Sequence, residues 1–171
     1  MTKAGLDLSI NNTGICIFHD NEYKYYLLTS KETRALKKAN HPRFDYLTYN
    51  KTEDDDENIF QIKHKIKHLI NKYNIEHITI EAPALQAKGR ATISLAGLNY
   101  SIRQMLKELG ISFTLVQPTS LKKWFSGNGQ ADKNLMCHCW RMLDPISKEL
   151  KSIKVDDLAD AYALCNWNGS I

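Results

Sequence analysis

Two carboxylates lie in or beside apolar segments, where an unpaired charge is costly. Asp7 stands between Leu6 and Leu8 in the first apolar run, and Glu81 directly follows the run Ile78-Thr79-Ile80. A buried carboxylate needs a metal ion, a cation or hydrogen-bond donors to offset its lost hydration. Carboxylates at the carboxyl ends of strands in α/β sheets often line a site. Each also has an ordinary interpretation, Asp7 as an outward-facing strand residue and Glu81 as a loop acid.

A second pair of carboxylates lies near the end of the chain, among small and apolar residues of a predicted helix. Asp157 and Asp160 are three residues apart, so they share one helix face. Like charges at this spacing repel unless a cation holds them. The positive end of a helix dipole explains an acid in the first turn, such as Asp156, better than it explains Asp160, which is a full turn further along.

The four carboxylates have no histidine or cysteine partners, and hard oxygen ligands of this kind suit Mg²⁺ or Mn²⁺. Two such ions about 4 Å apart hold the attacking and leaving oxygens in phosphodiester hydrolysis. The set therefore predicts a two-metal hydrolytic centre whose catalytic residues and metal ligands are Asp7, Glu81, Asp157 and Asp160.

Three other clusters have the composition of metal sites, but structural roles fit them better. Cys137-His138-Cys139 has no second ligand pair at a zinc-finger spacing, and four cysteines without a CxxC pair fit a reducing compartment. His64 and His68 are four residues apart on a predicted helix, where the surrounding lysines indicate a solvated basic face. The acidic run 53–57 precedes the same helix and suits the positive end of its dipole.

The elements that must position the carboxylates follow one order, strands first and then alternating helices and strands. The first three strands are predicted as an antiparallel meander over residues 4–9, 15–18 and 22–28. Asn11-Asn12-Thr13-Gly14 is interpreted as a turn, because Asn and Gly tolerate positive φ. The later elements are predicted as helices over 59–73, 91–109, 131–143 and 156–166, with strands over 77–81 and 111–116. The basic segment 30–50 has no assignment beyond a candidate strand at 44–49.

Length and composition restrict the class of protein. The chain has 171 residues, 43% of them hydrophobic and 25% charged, with a formal net charge of +4. These values indicate a single domain over residues 1–171 and exclude a disordered or fibrous chain. No apolar run reaches the roughly 20 residues of a membrane span. The early acid Asp7 does not fit a secretory signal, so we expect a cytoplasmic protein without a membrane partner.

The acid motifs resemble those of a known family. Gly5-Leu6-Asp7-Leu8-Ser9, Ile80-Glu81 and Asp157-Leu158-Ala159-Asp160-Ala161 are similar, in this order, to the motifs of RuvC-like Holliday junction resolvases of the RNase H-like superfamily. The resemblance implies an α/β, RNase H-like fold. Its mixed central sheet has three antiparallel strands followed by alternating helices and strands, with helices on both faces. It also implies a homodimeric endonuclease that binds two Mg²⁺ ions per active site, with Mn²⁺ as a substitute, and resolves four-way DNA junctions without a nucleotide cofactor.

The same resemblance extends to a basic segment beside Gly127-Asn128-Gly129. It implies that Lys122 and Lys133 bind DNA, with Lys123 as a register alternative to Lys122. One departure follows Glu81, where Ala82-Pro83-Ala84 replaces the glutamine and nearby aromatic residue of the bacterial members, so the cut-site preference stays open. The Asn-, Lys- and Ile-rich composition favours a phage or viral relative.

Other functions remain open on the sequence alone. The acids are equally compatible with an RNase H-like nuclease that acts on RNA–DNA hybrids or flaps, and with a degenerate protein that binds branched DNA without cutting it. An actin-like ATP-binding fold would use the segment 7–14 as a phosphate loop, but the chain is short and lacks a second such loop. The small residues Ser94, Ala96 and Gly97 fit either a dimer contact or packing on the sheet. Trp124 and Phe125 fit core packing better than stacking on bases.

Overall fold

The centre of the fold is a mixed six-stranded sheet in the order β4-β3-β2-β1-β5-β6. This computed structural model describes residues 1–83, 89–150, 153 and 155–169. Within them, β1, β2 and β3 form the predicted antiparallel meander, whereas β4 is parallel to β3, β5 is parallel to β1 and β6 is parallel to β5. The strands are β1 Lys3–Asp7, β2 Asn12–His19, β3 Glu22–Thr29, β4 Phe44–Thr48, β5 His77–Glu81 and β6 Ser112–Val116.

Helices cover both faces of the sheet, as the resemblance implied. The helices among the described residues are α1 Arg34–Lys38, α2 Asp55–Tyr73, α3 Arg90–Glu108, α4 Pro118–Ser126, α5 Lys133–Leu143, α6 Ile146–Glu149 and α7 Asp156–Asn166. One face packs against α2 and α3, and the other against α5, α6 and α7. Strand alternation sends Ile15 and Ile17 into the first core and Cys16 into the second. None of the described helices is long and apolar enough to cross a membrane.

Local signals account for the ends of the two longest helices. Asp54 is the N-cap of α2 and accepts hydrogen bonds from the backbone N–H groups of Asp56 and Glu57, so the acidic run caps the helix as expected. Asn74 ends α2 in the left-handed region at φ 49°. Gly110, at φ +69°, follows the last residues of α3 and confirms the predicted stop.

Two segments differ from the sequence-based expectation. The unassigned segment 30–50 forms α1 and then β4, which confirms the candidate strand and adds it to the sheet edge parallel to β3. The stretch after Pro118, for which no element was predicted, is the helix α4. Pro118 occupies its first turn, where a missing N–H costs nothing, and Gly127 ends it at φ +78°.

A buried polar network attaches the edge segment to the helices behind it. Arg43 donates from both terminal nitrogens to Asp144, at 3.1 and 2.7 Å. Tyr25 also donates to Asp144, at 2.7 Å, and Trp140 donates through its indole nitrogen to the Tyr25 hydroxyl. Only 4% of the Asp144 side chain and 20% of the Arg43 side chain are exposed. The charge of Asp144 is therefore fully paired inside the core.

Candidate active site

Strand pairing places the first two predicted site residues side by side. Strands β1 and β5 are parallel, and Leu6 pairs with Ile80. Asp7 and Glu81 are the next residues along each strand and the last of each, so both carboxylates leave the sheet at the same edge. The carboxyl end of a parallel pair is where α/β proteins commonly build sites.

Helix α7 brings the other two carboxylates to this edge because two glycines let it lie directly on the strands. A Cβ added to Gly14 would stand 2.0 Å from the backbone oxygen of Asp157, and one added to Gly5 would stand 2.2 Å from that of Ala161. Gly14 pairs with Asp7 across β1 and β2, so the start of α7 lies over the strand pair that carries Asp7.

This contact corrects the interpretation of Asn11-Asn12-Thr13-Gly14 as a turn. Gly14 lies inside β2, and it is absent from the glycines that adopt positive φ among the described residues. Glycine is required there by the close approach of the Asp157 backbone, not by backbone conformation. Asn12, the first residue of β2, instead accepts a hydrogen bond from the Thr29 hydroxyl at 2.7 Å.

The pKa values of the acids show that the four carboxylates share one neighbourhood. Burial raises the pKa of Asp7 well above its usual range, and the nearby charges of Asp160, Glu81 and Asp157 raise it further. Burial, with a contribution from Asp160, raises the pKa of Glu81 to about 7. Burial also raises the pKa of Asp160 to about 6. Such shifts mark carboxylates whose negative charge lacks sufficient compensation from the protein alone.

The donor set fits a hard divalent cation. The Oδ1 atom of Asp160 is buried and has no hydrogen-bond partner within the described part of the chain. Carboxylate oxygens without nitrogen or sulfur donors are the ligands that Mg²⁺ and Mn²⁺ prefer. Across residues 1–83, 89–150, 153 and 155–169, no three His, Cys, Asp or Glu side chains converge closely enough to form a finished ligand shell.

Two lysines face the carboxylates from neighbouring elements. Lys122 on α4 lowers the pKa of Glu81 and of Asp160, in each case against the larger effect of burial. Lys133 at the start of α5 lowers the pKa of Asp7 and of Asp160 in the same way. Lys123 is exposed on α4 and is not among the charges that act on these acids. The structure therefore favours Lys122 over Lys123 as the lysine beside the site.

Sequence reasoning missed two residues that position this centre. Asp156, interpreted as a helix-end acid with metal binding left open, accepts a hydrogen bond from Lys133 at 2.5 Å and so holds that lysine beside the acids. Asn99 on α3 is buried and donates to the backbone oxygen of Glu81 at 3.0 Å. The adjacency of Asp156 to Asp157 was a usable signal for the first, whereas nothing in the sequence around Asn99 pointed to Glu81.

The remaining predicted residues near the site pack as expected or lie partly outside the described residues. Trp124 stacks on Phe125 and meets Trp167 edge-on, and both α4 aromatics pack against buried clusters, which confirms core packing. After Glu81, Ala82 continues toward β6 by donating to the backbone oxygen of Val116 at 2.8 Å. Ala84, the last residue of the departure from the family pattern, lies outside the described residues.

Comparison with known proteins agrees with this geometry. The family model described as "Crossover junction endodeoxyribonuclease RuvC" matches residues 35–166. The protein of that name from Sulfurovum sp. (strain NBC37-1) is 26% identical over 165 residues, which cover 96% of this chain and 92% of that protein. The one from Orientia tsutsugamushi (strain Boryong) is 26% identical over 97 residues, 57% of this chain and 61% of that protein.

Solved structures share the fold. Thermus thermophilus RuvC superposes with a TM-score of 0.63 at 17% identity, covering 96% of this chain and 91% of that one. The same protein in complex with a Holliday junction substrate gives 0.64 at 18% identity, covering 96% and 90%. The yeast mitochondrial Holliday junction resolvase Ydc2 gives 0.59 at 15% identity, covering 95% and 75%. The predicted RNase H-like architecture is thereby confirmed.

Proposed function

Because the chain belongs to the RuvC family of crossover junction endodeoxyribonucleases, we propose that it resolves four-way DNA junctions by metal-dependent phosphodiester hydrolysis. The observation that carries this proposal is the gathering at one edge of the sheet of Asp7, Glu81 and Asp160, whose pKa values are raised, with Asp157, whose charge helps to raise that of Asp7. A charge cluster of this kind requires a cation, and divalent cations at such clusters serve phosphodiester cleavage. The four-way junction comes from family membership and from the relative solved with that substrate.

Asp7, Glu81, Asp157 and Asp160 are the proposed catalytic residues and metal ligands, for two Mg²⁺ ions with Mn²⁺ as a substitute. Bound in this way, the ions activate water and offset charge on the reacting phosphate. The chain itself supplies the placement. Parallel strands set the spacing of Asp7 and Glu81, and α7 packed on Gly14 sets that of the other two acids. The raised pKa values mean that Glu81 and Asp160 give up protons near neutral pH as the ligand shell forms.

Lys122, Lys123 and Lys133 are the proposed DNA contacts, and we assign them to phosphates. An ammonium group next to a carboxylate cluster draws a polyanion toward it and balances the negative charge of the acids. Lys122 and Lys133 act on the pKa values of the acids, so they lie where the scissile phosphate must approach. Lys123 points to solvent one residue away and fits a contact with a flanking phosphate.

A homodimer follows from the symmetry of the proposed substrate, since two cuts on a two-fold junction need two active sites. The exposed face of α3 fits the contact. Ile93 is 74% exposed and Tyr100, two helical turns later, is 65% exposed. Gly97 is close to α2, because an added Cβ would stand 3.3 Å from the Cδ1 atom of Ile59. Gly97 is thus near α2 although it is exposed, and the exposed apolar residues of α3 are the proposed dimer contact.

Asp7→Asn and Asp160→Asn, assayed with a synthetic four-way junction, test this assignment. We expect Mg²⁺-dependent cleavage to fall at least about a hundredfold, while metal-independent junction binding stays within about threefold. Asp45→Asn, an exposed acid on β4, is the matched control and retains parental cleavage. Parental rates in either of the first two variants would remove those residues from the site.

A panel of substrates tests the junction itself. The parental chain in Mg²⁺ is expected to cut the four-way junction faster than an RNA–DNA hybrid or a flap of the same sequence. Preference for the hybrid or flap would reassign the substrate, and junction binding without cleavage in Mg²⁺ or Mn²⁺ would identify a degenerate binding protein.

Sedimentation with and without junction DNA tests the dimer, and a monomer under both conditions would refute it.

A further inference from the structure

A cavity of about 320 Å³ lies next to the proposed active site, between the sheet and α1. Its wall includes Asp157, so it opens beside one of the four carboxylates. Its apolar lining comes from Leu27 on β3, from Ala35 and Leu36 on α1, and from Ile153. Three of these side chains, those of Leu27, Leu36 and Ile153, are buried. Buried apolar side chains therefore form the floor of the cavity.

The rim of the cavity offers hydrogen-bond donors. The Oδ1 atom of Asn12 accepts from the Thr29 hydroxyl, so the amide nitrogen of Asn12 is left to donate. The Thr33 hydroxyl oxygen accepts the N–H of Leu36 at 3.2 Å as the N-cap of α1, which leaves its hydrogen available. Lys31 is exposed on the same rim and adds a positive charge. An apolar floor with a few polar groups at its edge is the usual construction of a small-ligand site, at the low end of the roughly 300–1,000 Å³ range.

The sheet places this cavity in line with the acids. Asn12 and Thr29 pair with each other at the edge where Asp7 and Glu81 end, so the order along that edge is Glu81, Asp7, Asn12 and Thr29. Neighbouring strands are about 4.8 Å apart and residues rise about 3.3 Å along a strand; Thr29 is two strands from Asp7 and two residues beyond Leu27, which is level with Asp7, so it lies about 12 Å from Asp7. Suppose that the scissile phosphate lies at the acids and the DNA strand runs along this edge. A nucleotide one or two positions from the cut then lies over the cavity.

We propose that the cavity receives one nucleobase of the cleaved strand, one or two nucleotides from the scissile phosphate. This inference rests on the proposed nuclease function and adds a base-binding subsite to it. Leu27, Leu36 and Ile153 contact the flat face of the base, Asn12 and Thr33 donate to its edge, and Lys31 contacts the adjoining phosphate. Unstacking a base costs least where pairing is already interrupted, as at a branch point. Recognition of the cut site is thus assigned to the lining of this cavity, to which the segment 31–36 contributes Lys31, Thr33, Ala35 and Leu36.

Filling the cavity tests the proposal. Ala35→Phe places a ring in the cavity. The control is Asn40→Phe, which adds the same ring at an exposed position of the segment 30–50. Each chain is assayed on four-way junctions that carry one abasic nucleotide, moved through the positions flanking the cut. We expect one position within two nucleotides of the cut at which the abasic site lowers kcat/KM about tenfold in the parent and in Asn40→Phe, but less than twofold in Ala35→Phe. Equal abasic effects in all three chains would refute the subsite.

A binding measurement separates this inference from the proposed function. In the Asp160→Asn background, 2-aminopurine at the sensitive position is expected to brighten about threefold when the junction binds, because the base leaves the stack. We expect Ala35→Phe in that background to abolish the fluorescence increase. If this variant does not fold, Ala35→Met, which fills the cavity with a smaller side chain, is used in its place. An undiminished increase in the filled variants contradicts the subsite. Failure of the parent to cut any junction contradicts the nuclease function, while the fluorescence change still decides on the cavity.

Discussion

Replacement of Gly14 by alanine tests whether the contact between β2 and α7 builds the active site. The added Cβ would stand 2.0 Å from the backbone oxygen and 2.5 Å from the carbonyl carbon of Asp157, whereas ordinary contact begins at 3.4 Å. Both obstructing atoms are backbone, so no rotation of a side chain relieves the clash. The N-terminal end of α7 must therefore move away from the strands by roughly 1.4 Å.

Moving the N-terminal end of α7 lowers both the unfolding free energy and the rate of cleavage, by different amounts. Overpacking of this kind costs about 1–3 kcal/mol of unfolding free energy, and a backbone obstruction puts the variant at the upper end. Asp157 and Asp160 move with the helix, and misplacement of catalytic groups by about 1 Å costs about a hundredfold in rate. We therefore expect Gly14→Ala to stay folded at 25 °C, to lose about 2–3 kcal/mol, and to cleave a four-way junction about a hundredfold more slowly.

Urea denaturation and single-turnover cleavage in Mg²⁺ measure the two effects. Gly97→Ala is the matched control, because its added Cβ meets only the flexible end of Ile59 at 3.3 Å. That change removes a helical glycine from α3, so we expect unchanged cleavage and a gain of up to about 1 kcal/mol. Parental stability and cleavage in Gly14→Ala would show that α7 does not depend on the bare backbone of β2. Equal losses in the two variants would show that the rate effect is a general cost of added bulk.

Three further predictions concern charge. In metal-free protein the unfolding free energy falls as pH rises from about 4.5 to 7, because the folded state keeps a proton on Glu81, with its pKa of about 7, that the unfolded chain has already lost. Glu81 alone contributes a fall on the order of 3 kcal/mol, and the raised pKa values of Asp7 and Asp160 add to it in the same direction; Mg²⁺ reverses the fall, as urea denaturation at pH 5 and pH 8 measures. Lys122→Met raises the pKa of Glu81 and moves the acidic limb of the pH–rate profile to higher pH, whereas Lys123→Met leaves the limb in place. Asp144→Asn leaves its partly buried arginine partner uncompensated and costs about 3 kcal/mol in denaturant unfolding, against less than about 1 kcal/mol for the surface acid variant Glu149→Gln.

Each of these has an outcome that contradicts it. A metal-free protein that gains stability between pH 5 and pH 7 would mean that burial does not raise the pKa values of Glu81 and Asp160. If the acidic limb of the pH–rate profile moves equally in Lys122→Met and Lys123→Met, the two lysine side chains lie at the same distance from the acids. An Asp144→Asn variant as stable as the parent would show that the network around Arg43 is not a buried charge pair.

Much of the fold was predictable because the signals are local. The predicted strand 77–81 and helix 156–166 agree residue for residue with β5 and α7. Periodic apolar residues and end signals also located α2 and α3 to within a few residues. Nearby residues specify these elements, because caps, glycine stops and apolar spacing act within a few residues of the helix or strand that they define.

The parts that were not predictable depend on distant residues. The sequence predicted β4 as a candidate strand at 44–49, but its place at the sheet edge depends on pairing with β3, and its segment is anchored by Arg43 on Asp144, 101 residues away in the chain. The turn interpretation of Gly14 was wrong for the same reason. The residue that demands glycine there is Asp157, and nothing near Gly14 in the sequence identifies it.

By itself, the sequence determined the ligand chemistry and the order of the site. It predicted four hard oxygen donors without nitrogen or sulfur partners, the two strands and the helix that carry them, and the basic residues near them. Only the tertiary structure decided that β1 and β5 end together, that α7 lies on two glycines, and that Lys122 rather than Lys123 acts on the acids. The physical reason is burial: a carboxylate acquires a raised pKa and a need for metal only when distant elements exclude water from it and bring like charges beside it.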